Sequence, residues 1–364
     1  MGERSILLTG FPSNELARRV FSRLLEREGN ARVTVLVPER FVDHAGEWLS
    51  ALPSGQRART DVMVGDVAWL DLGLSGREYL ELAARVNVIH HCAAVTYSGA
   101  PLEMAEKCNV GGTYEILELA RQAASLERVV HWSTIGATND RDGVVFEDEL
   151  IDPRSNPLAQ TRYRAEKQVA KAREQVPVTV IRPSMLVGDS RTGRLARVEG
   201  AHLLIASLLN APRDVPIFRP AHGSAQLQVV PIDYAVDAGL LIADSAESIG
   251  HTYHVVDRDA LSLDEALVLI ADILGKPQPR GGLPPALAQA LLRIPGVDRL
   301  AHAQRALVDE LGTGIRYDDR NAYTLLARGG LSCPPFESYV GKLVSHVERE
   351  RKSDRPLPGY SLLR

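Results

Sequence analysis

Apolar and polar positions follow two rhythms along the first half of the chain. Short, nearly unbroken apolar runs, rich in β-branched residues, occur at 5–9 (SILLT), 32–37 (RVTVLV), 61–65 (DVMVG), 86–94 (VNVIHHCAA), 128–133 (RVVHWS) and 176–184 (VPVTVIRPS). Such runs read as strands buried on both faces. Between them, segments such as 15–26 (ELARRVFSRLLE), 111–125 (GGTYEILELARQAAS) and 163–175 (YRAEKQVAKAREQ) carry apolar residues at helical spacing. Repeated strand–helix–strand units need right-handed crossovers, so the pattern predicts an α/β fold with a doubly wound parallel sheet. Ligands of such sheets bind beyond the carboxyl ends of the strands.

After about residue 195 the rhythm loosens. Segments 231–244 and 262–276 read as helices, and 227–231 and 251–256 as short strands. The stretch KPQPRGGLPP at 276–285 punctuates the chain and starts a helical tail from about 284 to 350, followed by a loose terminus. The expected organisation is a dinucleotide-binding core over 1–195, with returning elements from about 225–260, and a smaller, mainly helical substrate-binding region over 196–364.

Composition narrows the partners. At 364 residues and 45% hydrophobic, the chain can bury a large core. A net charge of -4 and a pI near 6.2 imply no basic face, so nucleic acid is not an expected partner. Cys92, Cys108 and Cys333 lack metal-ligand spacing; they read as reduced thiols, and no metal is expected. No signal peptide or membrane-spanning run is read, so a soluble, cytoplasmic chain is expected. A homo-oligomer is left open.

Three stretches carry candidate chemistry: VVHWSTIGATN (129–139), TRYRAEKQVAK (161–171) and VIRPSMLVGDSRTG (180–193). Tyr163 and Lys167 are four residues apart and share a helix face. A phenol with pKa ~10 exchanges protons poorly at neutral pH, and a nearby ammonium favours its ionised form. A hydroxyl from Thr134 or Ser133 can hold a substrate oxygen against that phenol. The set makes a proton relay for carbonyl reduction or alcohol oxidation, with hydride from a nicotinamide. An isolated Tyr-x-x-x-Lys pair is ordinarily a solvated helix face; this one falls between two strands that end at the binding edge.

Taken in order, GDVAWLDLGLS (65–75), VIHHCAA (88–94), NVGGTYEILELA (109–120), WST (132–134), GVVFEDEL (143–150), YRAEK (163–167), IRPSMLVGDSRTG (181–193) and VPIDYAVDA (230–238) give the chain its resemblance to extended short-chain dehydrogenases/reductases. It is similar to the branch of fatty acyl-CoA reductases and thioester reductase domains with a male-sterility-type NAD-binding domain, over roughly residues 4–275. The resemblance implies a Rossmann fold and makes Tyr163 the acid/base. Lys167 then orients the ribose and tunes Tyr163, and Thr134, or alternatively Ser133, positions the carbonyl. It also implies adenine contacts from Asp66 and Val67, cofactor contacts from Ala93 and Ala94, and a nicotinamide lining from Pro183 and Ser184. Asn109 buttresses the site in the family; its plainer reading is a helix N-cap.

The opening turn departs from the usual pattern. Gly10, Phe11, Pro12, Ser13 and Asn14 would face a pyrophosphate, but Ser13 and Leu16 stand where two further glycines are expected. Ser13 reads as the N-cap of the first helix, and Glu15 puts a negative charge near the expected phosphate. The complete relay favours a working, modified site over a remnant. Arg40 follows the second strand and suits a ribose phosphate, with help from Arg18 or Arg19, so NADP(H) is expected ahead of NAD(H) on the strength of the resemblance. Apolar stretches at 201–209, 215–218 and 283–297 suggest a hydrophobic carbonyl or acyl-thioester substrate, held between 190–230 and the tail. The alternatives are a non-catalytic dinucleotide sensor or scaffold, and a nucleotide-sugar epimerase or dehydratase.

Overall fold

The structure is a computed structural model that describes residues 4–96, 100–138, 143–153, 156–197, 201–210, 225–279 and 314–353. The expected pocket segments at 215–218 and 283–297 and the terminus beyond 353 lie outside the described residues.

The strands are β1 (Arg4–Thr9), β2 (Ala31–Val37), β3 (Thr60–Val64), β4 (Val88–His91), β5 (Arg128–Trp132), β6 (Gly143–Val145), β7 (Val178–Pro183), β8 (Met185–Val187), β9 (Val229–Pro231), β10 (Thr252–Val255) and β11 (Ile315–Tyr317). Seven of them form one sheet in the order β10-β7-β5-β4-β1-β2-β3, with every pair parallel. The strand order reverses at β1, between β2 and β4. That is the topological switch point, where a doubly wound sheet opens a crevice.

The longer helices are α1 (Glu15–Arg27), α2 (Val42–Ser50), α3 (Gly76–Arg85), α4 (Gly112–Gln122), α5 (Pro157–Ala172), α6 (Ala201–Asn210), α7 (Ile232–Asp244), α8 (Leu263–Ile273), α9 (Arg320–Arg328) and α10 (Phe336–Lys352). Their apolar stripes decide where they lie. Leu16, Val20, Phe21 and Leu24 of α1 share a core with Val236, Leu240 and Ala243 of α7 and Leu325 of α9. Leu82 of α3, Leu117 and Leu119 of α4 and Val169 of α5 form another core with Leu7, Ile89 and Val129 of the sheet. The inner strands are buried on both faces, which is why their sequences read as apolar runs rather than alternations; β3, expected to be buried likewise, is the sheet edge and leaves Val62 and Val64 exposed. Helix α7 lies close to the sheet because Gly239 leaves room: a Cβ there would stand 2.2 Å from the Trp132 ring.

Among the described residues, the tail differs from the helical reading in one element. Ile315–Tyr317 is a strand that pairs in parallel with β6, three residues on three. It precedes α9 and α10, and α10 packs with α6 and α8 in a core of its own. A three-residue strand carries too short a period to stand out against flanking helical signals.

Candidate active site

At the carboxyl end of β1 the chain turns through Gly10 with φ +89°, and a Cβ there would come within 2.9 Å of the Ala93 N and the Cys92 carbonyl carbon. Only glycine lets this turn press against the end of β4. The next side chains are divided between core and surface. Phe11 is fully buried against Phe21, with ring centroids 4.8 Å apart, so it offers a ligand only backbone. Pro12 is buried, and Ser13 is exposed.

The helix cap is Asn14, not Ser13. Asn14 Oδ1 accepts from the Leu16 and Ala17 N–H groups at 2.9 and 3.4 Å, and its Nδ2 donates to the Cys92 carbonyl at 3.0 Å. Asn14 both caps and tethers the turn to β4, whereas the Ser13 hydroxyl only reaches back to the Gly10 carbonyl at 3.3 Å. Leu16 occupies the third glycine position as a core residue, 8% exposed. Glu15 pairs with both Arg18 and Arg19, so its charge is offset locally. Arg18 also donates to the Pro12 carbonyl at 2.8 Å.

Beneath the turn runs a one-directional chain of hydrogen bonds. The Thr113 hydroxyl donates to the Asn109 carbonyl at 2.7 Å, so it accepts from His91 Nε2–H at 3.3 Å. His91 Nδ1 therefore accepts from the Thr9 hydroxyl at 2.9 Å, and Thr9 Oγ1 accepts from Ala93 N at 3.1 Å. Burial holds the His91 pKa well below the usual histidine value, so the ring is the neutral tautomer this chain requires. Asn109 is buried inside a helical turn and is no N-cap. Its amide clasps Val95 N at 2.8 Å and Val95 O at 3.0 Å and donates to Thr161 Oγ1 at 2.7 Å. Thr161 precedes Tyr163 by two residues, so this network joins the loop after β4 to helix α5. The signal for it was the polar pair His90–His91 in an otherwise apolar central strand.

Helix α5 begins at the Asn156 cap and packs against the turn Ile135–Thr138 that follows β5. Tyr163 is half-buried and Lys167 exposed on the same face, with Lys167 Nζ 5.9 Å from the Tyr163 ring centroid. The two candidate hydroxyls are not equivalent. Ser133 is 4% exposed and its hydroxyl donates to the buried Glu166 carboxylate. Thr134 is half-buried; its Oγ1 accepts from Gly136 N at 3.2 Å, a bond that does not use its O–H as donor. Pro183 is buried at the end of β7. Ser184 follows it, and its buried hydroxyl has no hydrogen-bond partner among the described residues.

At the other end of the crevice, the exposed Arg40 reaches Asp66 at 3.2 Å, and Asp66 Oδ1 also accepts from Ala68 N at 3.0 Å. Val67 is buried and packs on Gly112, where a Cβ would come within 2.8 Å of its Cγ2. Ala93 and Ala94 are half-buried after β4. The predicted residues thus line one edge of the sheet on both sides of the switch point. A dinucleotide fits what is there: a tight turn at a helix N-terminus, an arginine beyond β2, and an orphaned hydroxyl beyond β7.

Comparison with known families agrees with this geometry. The family model described as male sterility protein, an NAD-binding family, matches residues 9–239. The chain belongs to this family. It is similar to the fatty acyl-CoA reductase wat of Drosophila melanogaster, 26% identical over 51% of this chain and 41% of that protein. It is also similar to the aldehyde reductase lnaA of Aspergillus flavus, 26% identical over 79% of this chain and 30% of that protein. The chain thus spans less than half the length of each of these curated relatives. Among solved structures, the terminal R domain of the myxalamid PKS-NRPS pathway superposes with TM-score 0.81 at 25% identity, over 98% of this chain and 93% of that one. A UDP-glucuronic acid 4-epimerase from Bacillus cereus superposes with TM-score 0.67 at 17% identity, over 95% and 99%, which shows the shared fold alone. This member of the male-sterility family is therefore a Rossmann-fold domain of an NAD-binding family. No helix of the described residues is long and apolar enough to cross a membrane.

Proposed function

We propose that this chain is an NADPH-dependent reductase of a hydrophobic acyl thioester or carbonyl compound, with Tyr163 as proton donor. The observation that carries the reading is the Tyr163–Lys167 pair on one face of α5, the helix that packs against the turn following Thr134. A bound nicotinamide supplies the hydride. The Thr134 O–H donates to the substrate carbonyl oxygen and holds it toward Tyr163. The Tyr163 phenol gives that oxygen its proton as charge develops there, and the Lys167 ammonium favours the phenolate left behind. With a thioester, collapse of the reduced carbon breaks the C–S bond; the thiol leaves with a proton and an aldehyde remains. Ser133 has no part in this relay, because its hydroxyl is bound to Glu166.

NADPH is preferred to NADH in this reading because Arg40 stands beyond β2 beside Asp66, where a ribose phosphate belongs. The division near residue 195 between core and substrate region belongs to the same proposal. The relatives named for aldehyde and fatty acyl-CoA reduction support the substrate class. The test is NADPH oxidation against a panel of acyl-CoA thioesters, aldehydes and ketones, with the Tyr163→Phe variant alongside. Activity on a nucleotide sugar, with none on the panel, would reject the reading.

A further inference from the structure

Three buried side chains meet beneath the relay. Ser133, Glu166 and Arg182 are 4%, 3% and 2% exposed. Arg182 Nε lies 3.0 and 2.9 Å from the two Glu166 oxygens, and Nη2 lies 2.5 Å from Oε2. The Ser133 hydroxyl donates to the same carboxylate. Each of these residues immediately precedes a residue of the proposed site: Thr134, Lys167 and Pro183.

That placement has geometric force. Successive side chains of a strand point to opposite faces, and successive residues of a helix are turned by about 100°. Fixing Arg182 in β7 therefore aims Pro183 to the opposite face, and fixing Ser133, the first residue beyond β5, sets where the chain leaves the strand at Thr134. Fixing Glu166 inward turns Lys167, and with it Tyr163, toward the crevice. Three elements from distant parts of the sequence are set in phase by one carboxylate.

The cluster is also anchored from outside. Arg182 Nη1 donates to the Glu149 carbonyl at 2.9 Å and to His254 Nε2 at 3.2 Å. His254 is held neutral by burial, and its Nδ1–H donates to the Asp318 carbonyl at 2.8 Å. Glu147 accepts from the N–H groups of His254, Asn321 and Ala322 at 3.1, 2.8 and 3.0 Å. The guanidinium is thus held by β10 and by the backbone after β6, and the segment leading into α9 in turn holds His254 and Glu147.

We propose that Glu166 is a positioning residue, and that its buried pairing with Ser133 and Arg182 sets the register of Thr134, the Tyr163–Lys167 face and Pro183 relative to one another. The proposal rests on the reading of those residues as the reductase site, but the register can be measured without turnover. The experiment is amide hydrogen exchange on wild type, Glu166→Gln and Ser133→Ala, with kcat and KM measured on the same proteins. In Glu166→Gln, exchange should rise about ten-fold or more together at 134–138, in α5 around Tyr163 and at 184–189, while the amino ends of β5 and β7 stay protected. Its kcat should fall about a hundred-fold with KM changed less than about three-fold, since misplacement of the relay costs chemistry and not binding. Ser133→Ala keeps the ion pair, so it should loosen 134–138 alone and lower kcat by about ten-fold. Should Glu166→Gln fail to fold, Ser133→Ala still decides the matter. Exchange that rises uniformly across the sheet, or stays unchanged in Ser133→Ala, would overturn the proposal. A wild type that takes no dinucleotide would reject the reductase reading and leave the exchange pattern to judge the register.

Discussion

Arg40 and Asp66 meet at 3.2 Å across 26 residues of sequence, at the ends of β2 and β3. The contact puts a cation beside the carboxylate that the proposed reading turns toward adenosine. Arg40 is 65% exposed, so the pair contributes only about 0–1 kcal/mol to stability. In the proposed reading its role is toward the ribose phosphate. Arg40→Ala should leave the melting temperature nearly unchanged and weaken NADPH about ten-fold or more, at about 1.5–3 kcal/mol for a charged hydrogen bond. NADH affinity should stay nearly constant. Calorimetric titration of both cofactors checks this, and an unchanged preference would remove Arg40 from the site.

Tyr163→Phe removes only the transferable proton. Turnover should drop by about 10²–10⁴, the usual worth of a positioned acid or base, with cofactor affinity nearly unchanged. Lys167→Met should lower both turnover and cofactor affinity, because its ammonium serves the phenol and the ribose together. Near-normal turnover in Tyr163→Phe would move the proton donor elsewhere.

The inner strands were legible in the sequence because strands buried on both faces cannot hide their composition; β3 gave the same apolar signal although Val62 and Val64 are exposed at the sheet edge. The adjacency of Tyr163 and Lys167 was legible because helix spacing brings the two side chains to one face. What could not be read was side-chain commitment. Ser133 and Thr134 are adjacent hydroxyls, and only the buried Glu166 separates their roles. Ser13 is as good a cap type as Asn14, and the choice fell to the residue that could also reach Cys92. The pairing of β6 with β11 joins residues far apart in sequence, and its three-residue strands carry no period of their own.

Buried histidines make the fold sensitive to acid. His90, His131 and His254 are lowered to about 3, His202 to about 4, and His91 well below its usual value, all chiefly by burial. Their folded values lie below the unfolded value of ~6.5, so their contribution is fully present above that pH and is lost as pH falls toward the folded values. Each adds a slope of up to about 1.4 kcal/mol per pH unit. Glu147, raised to about 7, and Asp257, raised to about 6, act in the opposite sense, losing stability as pH rises through those values. The histidines outnumber them. Urea midpoints should fall steeply below pH ~6.5. Midpoints that hold level between pH 7 and 5 would contradict the neutral, buried imidazoles.

Gly10 and Ser13 separate two ways in which the opening turn can fail. Gly10→Ala puts a Cβ within 2.9 Å of the Ala93 N at φ +89°, and backbone on both sides cannot give way cheaply. It should cost about 1–3 kcal/mol of stability through overpacking and lose dinucleotide binding. Ser13→Gly is the opposite experiment. Its side chain is exposed and makes only a 3.3 Å bond within the turn, so removing it should change stability by no more than about 0.5 kcal/mol. Asn14 still caps the helix by accepting from the Leu16 and Ala17 N–H groups, and the positive end of the α1 dipole stays in place. If the serine obstructs the approach of a pyrophosphate, Ser13→Gly should tighten NADPH several-fold by calorimetry. If the Ser13 hydroxyl instead replaces the lost backbone contact, the variant should bind more weakly. The helix dipole is unchanged either way, so the sign of this one measurement tells obstruction from substitution.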